Sequence, residues 1–189
     1  SNAAVLERQD DRWHFAHDKL REGILIELDP LARQHHHQQV AGAIEQVYQT
    51  TLTSHYPDLA FHYGQAQRPA QERHYLFLSG ETAQAAYANA EAITYYQRLL
   101  PLLDQPESRI DVLVRLGRVL RVIGRWDDAE THCRAALELA EHVGDKAVRA
   151  RCLQALGALH RTRSEHTQAL ALFMQARADL ATLPTEQST

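Results

Sequence analysis

Hydrophobic residues recur along most of this chain at intervals of three and four, which is the period of an amphipathic α-helix. From His17 onward this period places Leu20, Ile24 and Leu25 on one face of a first helix. Only residues 12–16 alternate as a β-strand does, so this stretch either pairs with a missing neighbour or forms an extended lead-in. The pattern therefore predicts an all-helical protein with about nine helices and a short non-repeat start.

Proline and glycine divide the remaining pattern into further helices. Helices are predicted at about 30–48, 56–66, 70–87 and 89–103, with further pairs after Pro106 and after Gly144. The second helix is expected to bury Leu31, Val40, Ile44 and Val47, and the third Leu59, Ala60 and Tyr63. Gly144 should end one helix, Asp145 should cap the next, and Ser164 should cap the last.

Small residues repeat at a fixed spacing over the second half of the chain. Each unit starts at a glycine, has an alanine twelve residues later and a third apolar residue further on: Gly80, Ala92 and Leu99; Gly117, Ala129 and Ala136; Gly157, Ala169 and Ala176. Small residues at these places allow two antiparallel helices to approach closely across a tight turn. We therefore expect a close contact between Gly117 and Ala129.

This spacing resembles the tetratricopeptide (TPR) repeat, in which a pair of helices recurs about every 34 residues. Leu120 stands in place of the usual Tyr and Cys133 in place of the usual Phe. The resemblance implies an all-α fold in which helical hairpins stack into a right-handed superhelix. It also implies a protein-binding function without catalysis.

A second resemblance covers nearly the whole chain. Its residues are Phe15–Asp18, Arg21, Glu22, Leu28, Arg33, His37–Ala41, Tyr75–Ala83 and Tyr87–Ala92. These stretches are similar to large bacterial signalling ATPases of the AAA/STAND type, at the point where a winged-helix part leads into helical repeats. Such proteins often carry a nucleotide cyclase or a DNA-binding domain. The resemblance implies that the repeats act as a sensor or an assembly platform.

The resemblance also suggests an order of domains. Ser1, Asn2 and Ala3 look like the remnant of a cleaved affinity tag, so the chain is expected to be a fragment of a longer protein. Residues 4–50 are predicted to be the lead-in and residues 51–189 the helical repeats. Exposed ends of such a repeat array would allow self-association into a homo-oligomer.

Charge and cysteine content exclude several functional classes. The net charge of −4 argues against nucleic-acid binding, which needs a concentrated basic surface. No apolar run approaches the roughly 20 residues of a membrane span. The two cysteines, Cys133 and Cys152, lie on apolar helical positions and form neither a disulfide framework nor a metal-binding spacing. A cytoplasmic protein without a cofactor is expected.

Two histidine patterns could indicate an enzyme or a metal site. His35, His36 and His37 are adjacent, and adjacent helical residues point about 100° apart, so they cannot converge on one ion. The pair His17–Asp18 suggests a metal-dependent phosphohydrolase of the HD type, with His62 or Asp58 as further candidates, but this chemistry needs more ligands. We expect no metal and no catalytic residues.

Arginines are concentrated on the helix faces that line the concave side of a TPR array. By the repeat spacing these are Arg118 and Arg121 in one unit and Arg151, Gln154 and Arg161 in the next. A guanidinium binds a carboxylate through two parallel hydrogen bonds, so an acidic peptide or protein loop is the expected partner. Solvated surface arginines are the simpler alternative. A ligand-sensing helical array of a transcription activator is a further alternative function.

Overall fold

The computed structural model describes residues 6–9, 12–15 and 29–183. Within these ranges the protein is all-α except for one short β-hairpin. The α-helices of the described residues are α1 (Pro30–Val47), α2 (Tyr56–Gln65), α3 (Pro69–Ala85), α4 (Asn89–Leu99), α5 (Pro106–Val122), α6 (Trp126–Val143), α7 (Lys146–Thr162) and α8 (His166–Ala181). The helix predicted from His17 lies outside the described residues. None of the described helices is long and apolar enough to cross a membrane.

The predicted strand has its partner within the chain. Strand β1 (Leu6–Gln9) pairs antiparallel with β2 (Arg12–Phe15), and the register places Leu6 opposite Phe15 and Gln9 opposite Arg12. The alternating pattern did not identify a pairing strand, and the structure shows that this strand is the segment directly upstream. That segment escaped notice because Leu6–Gln9 has no apolar alternation of its own.

The chain divides into two compact units, residues 1–72 and 73–189. The predicted boundary at residue 50, between a lead-in and the repeats, stays a prediction. In the first unit, Ala41 of α1 and Leu59 and Ala60 of α2 are fully buried. Tyr63 is also buried, so the inward face predicted for the third helix is confirmed.

The inward face predicted for α1 is wrong at three of its four residues, and only Ile44 is partly buried. Leu31, Val40 and Val47 are 72%, 42% and 71% exposed, and Ala41 is the one buried residue of this helix. Contacts with α2 run along the line of Ala41 and His37, where the His37 ring packs edge-on against Phe61. A small residue therefore marks the contact, and Leu31, Val40 and Val47 lie away from it.

In the second unit, a glycine of the first helix of each hairpin lies against the second helix. A Cβ on Gly80 would overlap the Tyr96 ring, a Cβ on Gly117 would overlap the Cys133 sulfur, and a Cβ on Gly157 would come within 2.7 Å of Phe173. Each obstructing residue follows its glycine by sixteen positions. The three repeat units predicted at these glycines are thereby confirmed as helical hairpins.

The hairpin turns share one backbone conformation. Tyr87, Gly124 and Ser164 follow the first helix of each pair with positive φ angles of 58°, 80° and 63°. In each turn the next residue donates its N–H to a carbonyl five positions back, as Arg125 does to Leu120 at 2.9 Å. These hydrogen bonds satisfy the free carbonyls at the helix end.

The capping predictions had different outcomes. Gly144 ends α6 in the left-handed conformation, and the Asp145 carboxylate accepts hydrogen bonds from the N–H groups of Ala147 and Val148, as predicted. Ser164 does not cap α8, because it occupies the left-handed turn position and Glu165 becomes the N-cap residue without a side-chain hydrogen bond. The turn conformation determines the position of the helix start here.

A core cluster of the second unit lies between α5, α6 and α7. It contains Cys133 and Cys152, which are both buried free thiols, together with Ile110, Ala136 and Leu156. Burial raises the pKa of each thiol to about 11. Both cysteines are therefore protonated packing residues at neutral pH.

Candidate functional site

Charged side chains connect the first helices of the three hairpins. Arg115 of α5 pairs with Glu81 of α3 at 3.0 Å and with Asp111, one turn earlier on α5, at 2.7 Å. The same guanidinium lies 4.8 Å from the centre of the Phe77 ring, in a cation–π contact. Asp111 also faces Arg151 of α7 at 3.7 Å. These ion pairs form a ladder across α3, α5 and α7 that holds the three helices in register.

Apart from Arg109, which binds the backbone carbonyls of Leu100 and Leu103, two arginines of α5 have no carboxylate partner among the described residues. Arg118 is exposed and makes no ion pair or hydrogen bond within the described part of the chain. Arg121, one turn further along, donates one hydrogen bond at 3.3 Å to the hydroxyl of Thr162. Because Glu81 and Asp111 already pair with Arg115 and Arg151, no carboxylate in the described ranges balances the positive charge of Arg118 and Arg121.

These two arginines separate two hollows of the surface. The larger hollow, of about 440 Å³, lies between α3 and α5 and is lined by Glu81, Gln84, Ala85, Tyr87, Asn89, Arg115, Arg118, Val119, Arg121 and Val122. The smaller hollow, of about 140 Å³, lies between α5 and α7 and is lined by Gly117, Arg118, Arg121, Gln154, Ala155 and Ala158. Arg118 and Arg121 line both hollows, so a polypeptide segment that crosses α5 from one hollow to the other would contact both arginines.

The structure brings together three of the five residues predicted to bind a partner. Arg118, Arg121 and Gln154 line the smaller hollow. Arg151 is 52% exposed and its charge faces Asp111, so it belongs to the ladder as well as to the surface. Arg161 is exposed and lines neither hollow.

Several residues of this surface were not predicted from the sequence. Arg115 and Glu81 carry the ladder, while Tyr87 and Val122 supply apolar surface to the larger hollow. Tyr87 is 81% exposed and Val122 is 59% exposed. By the repeat spacing, Glu81 of α3 corresponds to Arg118 of α5, since each directly follows the glycine of its unit. This correspondence could have indicated from the sequence that α3 contributes to the site.

The histidine candidates do not form a catalytic centre in the described residues. His37 and His62 share a hydrogen bond of 2.9 Å between their Nδ1 atoms, and burial lowers the pKa of both imidazoles. Asp58 instead contacts His55 at 3.3 Å. No group of three or more His, Cys, Asp or Glu side chains suitable for a metal ion occurs in the described part of the chain. The pair His17–Asp18 lies outside that part.

Helix α8 carries large apolar residues that are exposed. Leu170 and Met174 are 60% and 55% exposed, and Phe173 is partly buried against Gly157. These are the residues through which self-association was expected. That association stays a prediction.

Comparison with known proteins identifies the repeat type. Residues 108–180, which span the hairpins α5–α6 and α7–α8, match the tetratricopeptide repeat family. This segment contains all five of the residues predicted to bind a partner. No curated protein sequence matches the chain.

Solved structures share the fold at low sequence identity. The crystal structure of a Rap protein complexed with Competence and Sporulation Factor aligns with 87% of this chain at a TM-score of 0.57 and 16% identity. The chain spans about half of that protein, 47% of its length. A putative kinesin light chain from Podosopora anserina with nearly identical TPR-like repeats aligns over 92% of this chain and 100% of its own, at a TM-score of 0.50 and 16% identity. BtubC from P. vanneervenii aligns over 86% of this chain and 78% of its own, at a TM-score of 0.50 and 13% identity. These likenesses show the fold of a TPR-like helical repeat.

Proposed function

We propose that this protein is a non-enzymatic interaction module that binds an acidic segment of a partner protein across α5. The observation that carries the proposal is the unbalanced charge of Arg118 and Arg121 at the wall between two hollows. A carboxylate on the partner would receive the hydrogen bonds that these guanidinium groups do not make within the described chain. Gln154 in the smaller hollow adds an amide that can bind the partner's main chain.

The ion-pair ladder supports this role by fixing the arginine-bearing helices. Arg115 is held on both sides by Glu81 and Asp111, and by the Phe77 ring underneath. The spacing between α3, α5 and α7 is therefore defined before a partner arrives, which lowers the entropy lost on binding. Because Arg118 is exposed and Arg121 is partly exposed, each contact contributes modestly, and binding should weaken as salt concentration rises.

A comparison supports peptide or protein binding by this fold. The Rap protein of similar fold was crystallised in complex with Competence and Sporulation Factor. We propose by analogy that the present repeats also bind a polypeptide.

The wider setting of the module is also a proposal. The stretches around Phe15–Asp18 and Tyr75–Ala83 resemble large bacterial signalling ATPases. We propose that the repeats regulate such an ATPase or a cyclase-linked protein in the cytoplasm, with nucleotide chemistry in other domains. The coding sequence of the whole protein tests this directly, since a phosphate-binding loop G-x-x-x-x-G-K-[ST] should be present in it.

Charge reversal tests the binding function. A fluorescein-labelled hexaglutamate peptide should bind the wild type, and Arg118→Glu with Arg121→Glu should abolish binding while the helical content is unchanged. The matched control is Lys146→Glu with Arg177→Glu, which changes the net charge equally at exposed positions outside both hollows. Equal loss of binding in both double variants, or none in the first, would overturn the proposal.

A further inference from the structure

The larger hollow combines apolar surface with the two unbalanced arginines. Tyr87 stands at the turn between α3 and α4, Val122 ends α5, and both contribute largely exposed side chains to the lining. Val119 and Ala85 extend the apolar part. A volume of about 440 Å³ falls within the range of sites that enclose a ligand group.

Tyr87 occupies a backbone position that disfavours a tyrosine. Its φ angle is 58°, in the left-handed region where the Cβ of an L-residue is crowded, and Gly124 takes the same position in the next hairpin. The residue is 81% exposed, so its side chain gains little from packing in the protein itself. A strained residue whose aromatic ring is left uncovered is a candidate for a role in binding.

Polar groups of the hollow are suited to an extended polypeptide. Gln84 accepts a hydrogen bond from the Tyr96 hydroxyl at 2.9 Å through its side-chain oxygen, which leaves its NH₂ group to donate to a partner carbonyl. Asn89 lines the same wall. The negative charge of Glu81 is balanced by Arg115 at 3.0 Å, so it does not repel an acidic partner.

We infer that this hollow binds an apolar side chain of the partner that lies directly beside the carboxylates held by Arg118 and Arg121. The inference rests on the proposed function and specifies its ligand: an extended acidic segment flanked by a leucine-sized or aromatic residue. Tyr87 and Val122 cover this side chain, and Gln84 binds the neighbouring main chain. Sequence specificity then comes from the apolar residue, because charge alone distinguishes acidic segments poorly.

Two labelled probe peptides test the inference. Both contain three consecutive acidic residues, flanked on each side by leucine in the first and by alanine in the second. The leucine probe should bind the wild type about three- to tenfold more tightly, in keeping with partial burial of one side chain. In Tyr87→Gly the two probes should bind equally, at the level of the alanine probe, whereas Arg121→Gln should weaken both.

A matched variant separates binding from folding. Tyr87→Gly removes the ring and relieves the strained conformation, so the melting temperature should rise by about 2–4 °C. Ser164→Gly relieves the same strain at the corresponding turn, where φ is 63°, and should keep the preference for leucine. The inference would be overturned if the leucine and alanine probes bound the wild type equally well. It would also be overturned if Tyr87→Gly kept the preference for leucine. Either result would leave the proposed function standing. If neither probe bound and the hexaglutamate peptide did not bind either, the inference and the proposed function would both be overturned.

Discussion

Gly117 of α5 lies directly against Cys133 of α6, so that a Cβ at position 117 would overlap the cysteine sulfur. The same Cβ would lie 3.3 Å from the backbone oxygen of Ala129. The two helices of the central hairpin thus approach as closely as a glycine allows. This contact determines the separation of α5 from α6 and, through α5, the place of Arg118.

The first prediction concerns this contact. Gly117→Ala should destabilise the protein by about 1–3 kcal/mol, because the added methyl group forces apart the sulfur and the helix that carries it. Gly117→Leu should be worse and should melt the central hairpin. Chemical denaturation followed by circular dichroism measures the free energy of unfolding.

A second substitution identifies the cause. Cys133→Ala removes the sulfur, so in that background Gly117→Ala should lose a large part of its effect. Gly42→Ala is the control, because a Cβ there meets nothing within 4 Å and alanine is the better helix former. If Gly117→Ala and Gly42→Ala had the same effect on stability, the close contact in the central hairpin would be refuted.

The second prediction concerns a buried carboxylate. Asp179 of α8 is 8% exposed, and its two oxygens accept hydrogen bonds from Arg149 of α7 at 2.7 and 3.0 Å. Arg149→Met should destabilise the protein by about 1–3 kcal/mol, because the carboxylate would stay buried without its partner. Arg149→Met with Asp179→Leu should recover part of this loss. A double variant no better than the single one in urea denaturation would contradict the assigned role of the pair.

The third prediction concerns acid stability. Hydrogen bonds from Arg134 and Arg163 hold the pKa of Glu130 below its usual value of 4.5. Because the folded-state pKa is lowered, the stabilisation by Glu130 is complete above about pH 4.5 and is lost as the pH falls through the lowered pKa. Arg134→Gln with Arg163→Gln should therefore make the protein less stable at pH 7 and flatten the loss of stability between pH 5 and 3.

The control for this prediction is Arg125→Gln. Arg125 pairs with Asp128, and both side chains are about half exposed at 53% and 50%. This variant should keep the acid dependence of the wild type, since exposed pairs contribute little. Melting temperatures across the acid range give the comparison, and an unchanged slope in the double variant would count against the role of Glu130.

Local spacing was sufficient to predict the hairpins of the second unit. Gly80, Gly117 and Gly157 could be recognised because a helix contact without room for a Cβ admits few residue types. The turn at Ser164 was misread, because serine is a common N-cap and nothing in the local sequence distinguishes that role from a left-handed turn position. The inward face of α1 was misread because its contact uses Ala41, and apolar periodicity gives more weight to Leu31 and Val47.

The site could be predicted only in part. The spacing placed Arg118, Arg121 and Gln154 on neighbouring helices, and they line one hollow. Which arginines are already paired depends on contacts between distant residues, as in the pair of Arg115 with Glu81, and no sequence period encodes those. Tyr87 was missed for a different reason: an aromatic residue in a helical pattern is expected in the core, whereas this one is 81% exposed at a turn.

The most direct test of the central claim is a titration of the protein with the hexaglutamate peptide, observed through the arginine Nε–Hε signals by NMR. We expect shifts at Arg118 and Arg121, which have no carboxylate partner in the described chain, and no change at Arg149 and Arg163, which are held by Asp179 and Glu130. Raising the salt concentration should reverse the shifts. Unchanged Arg118 and Arg121 signals at saturating peptide, or shifts spread evenly over all exposed arginines, would contradict the assignment of this surface as a binding site for acidic partners.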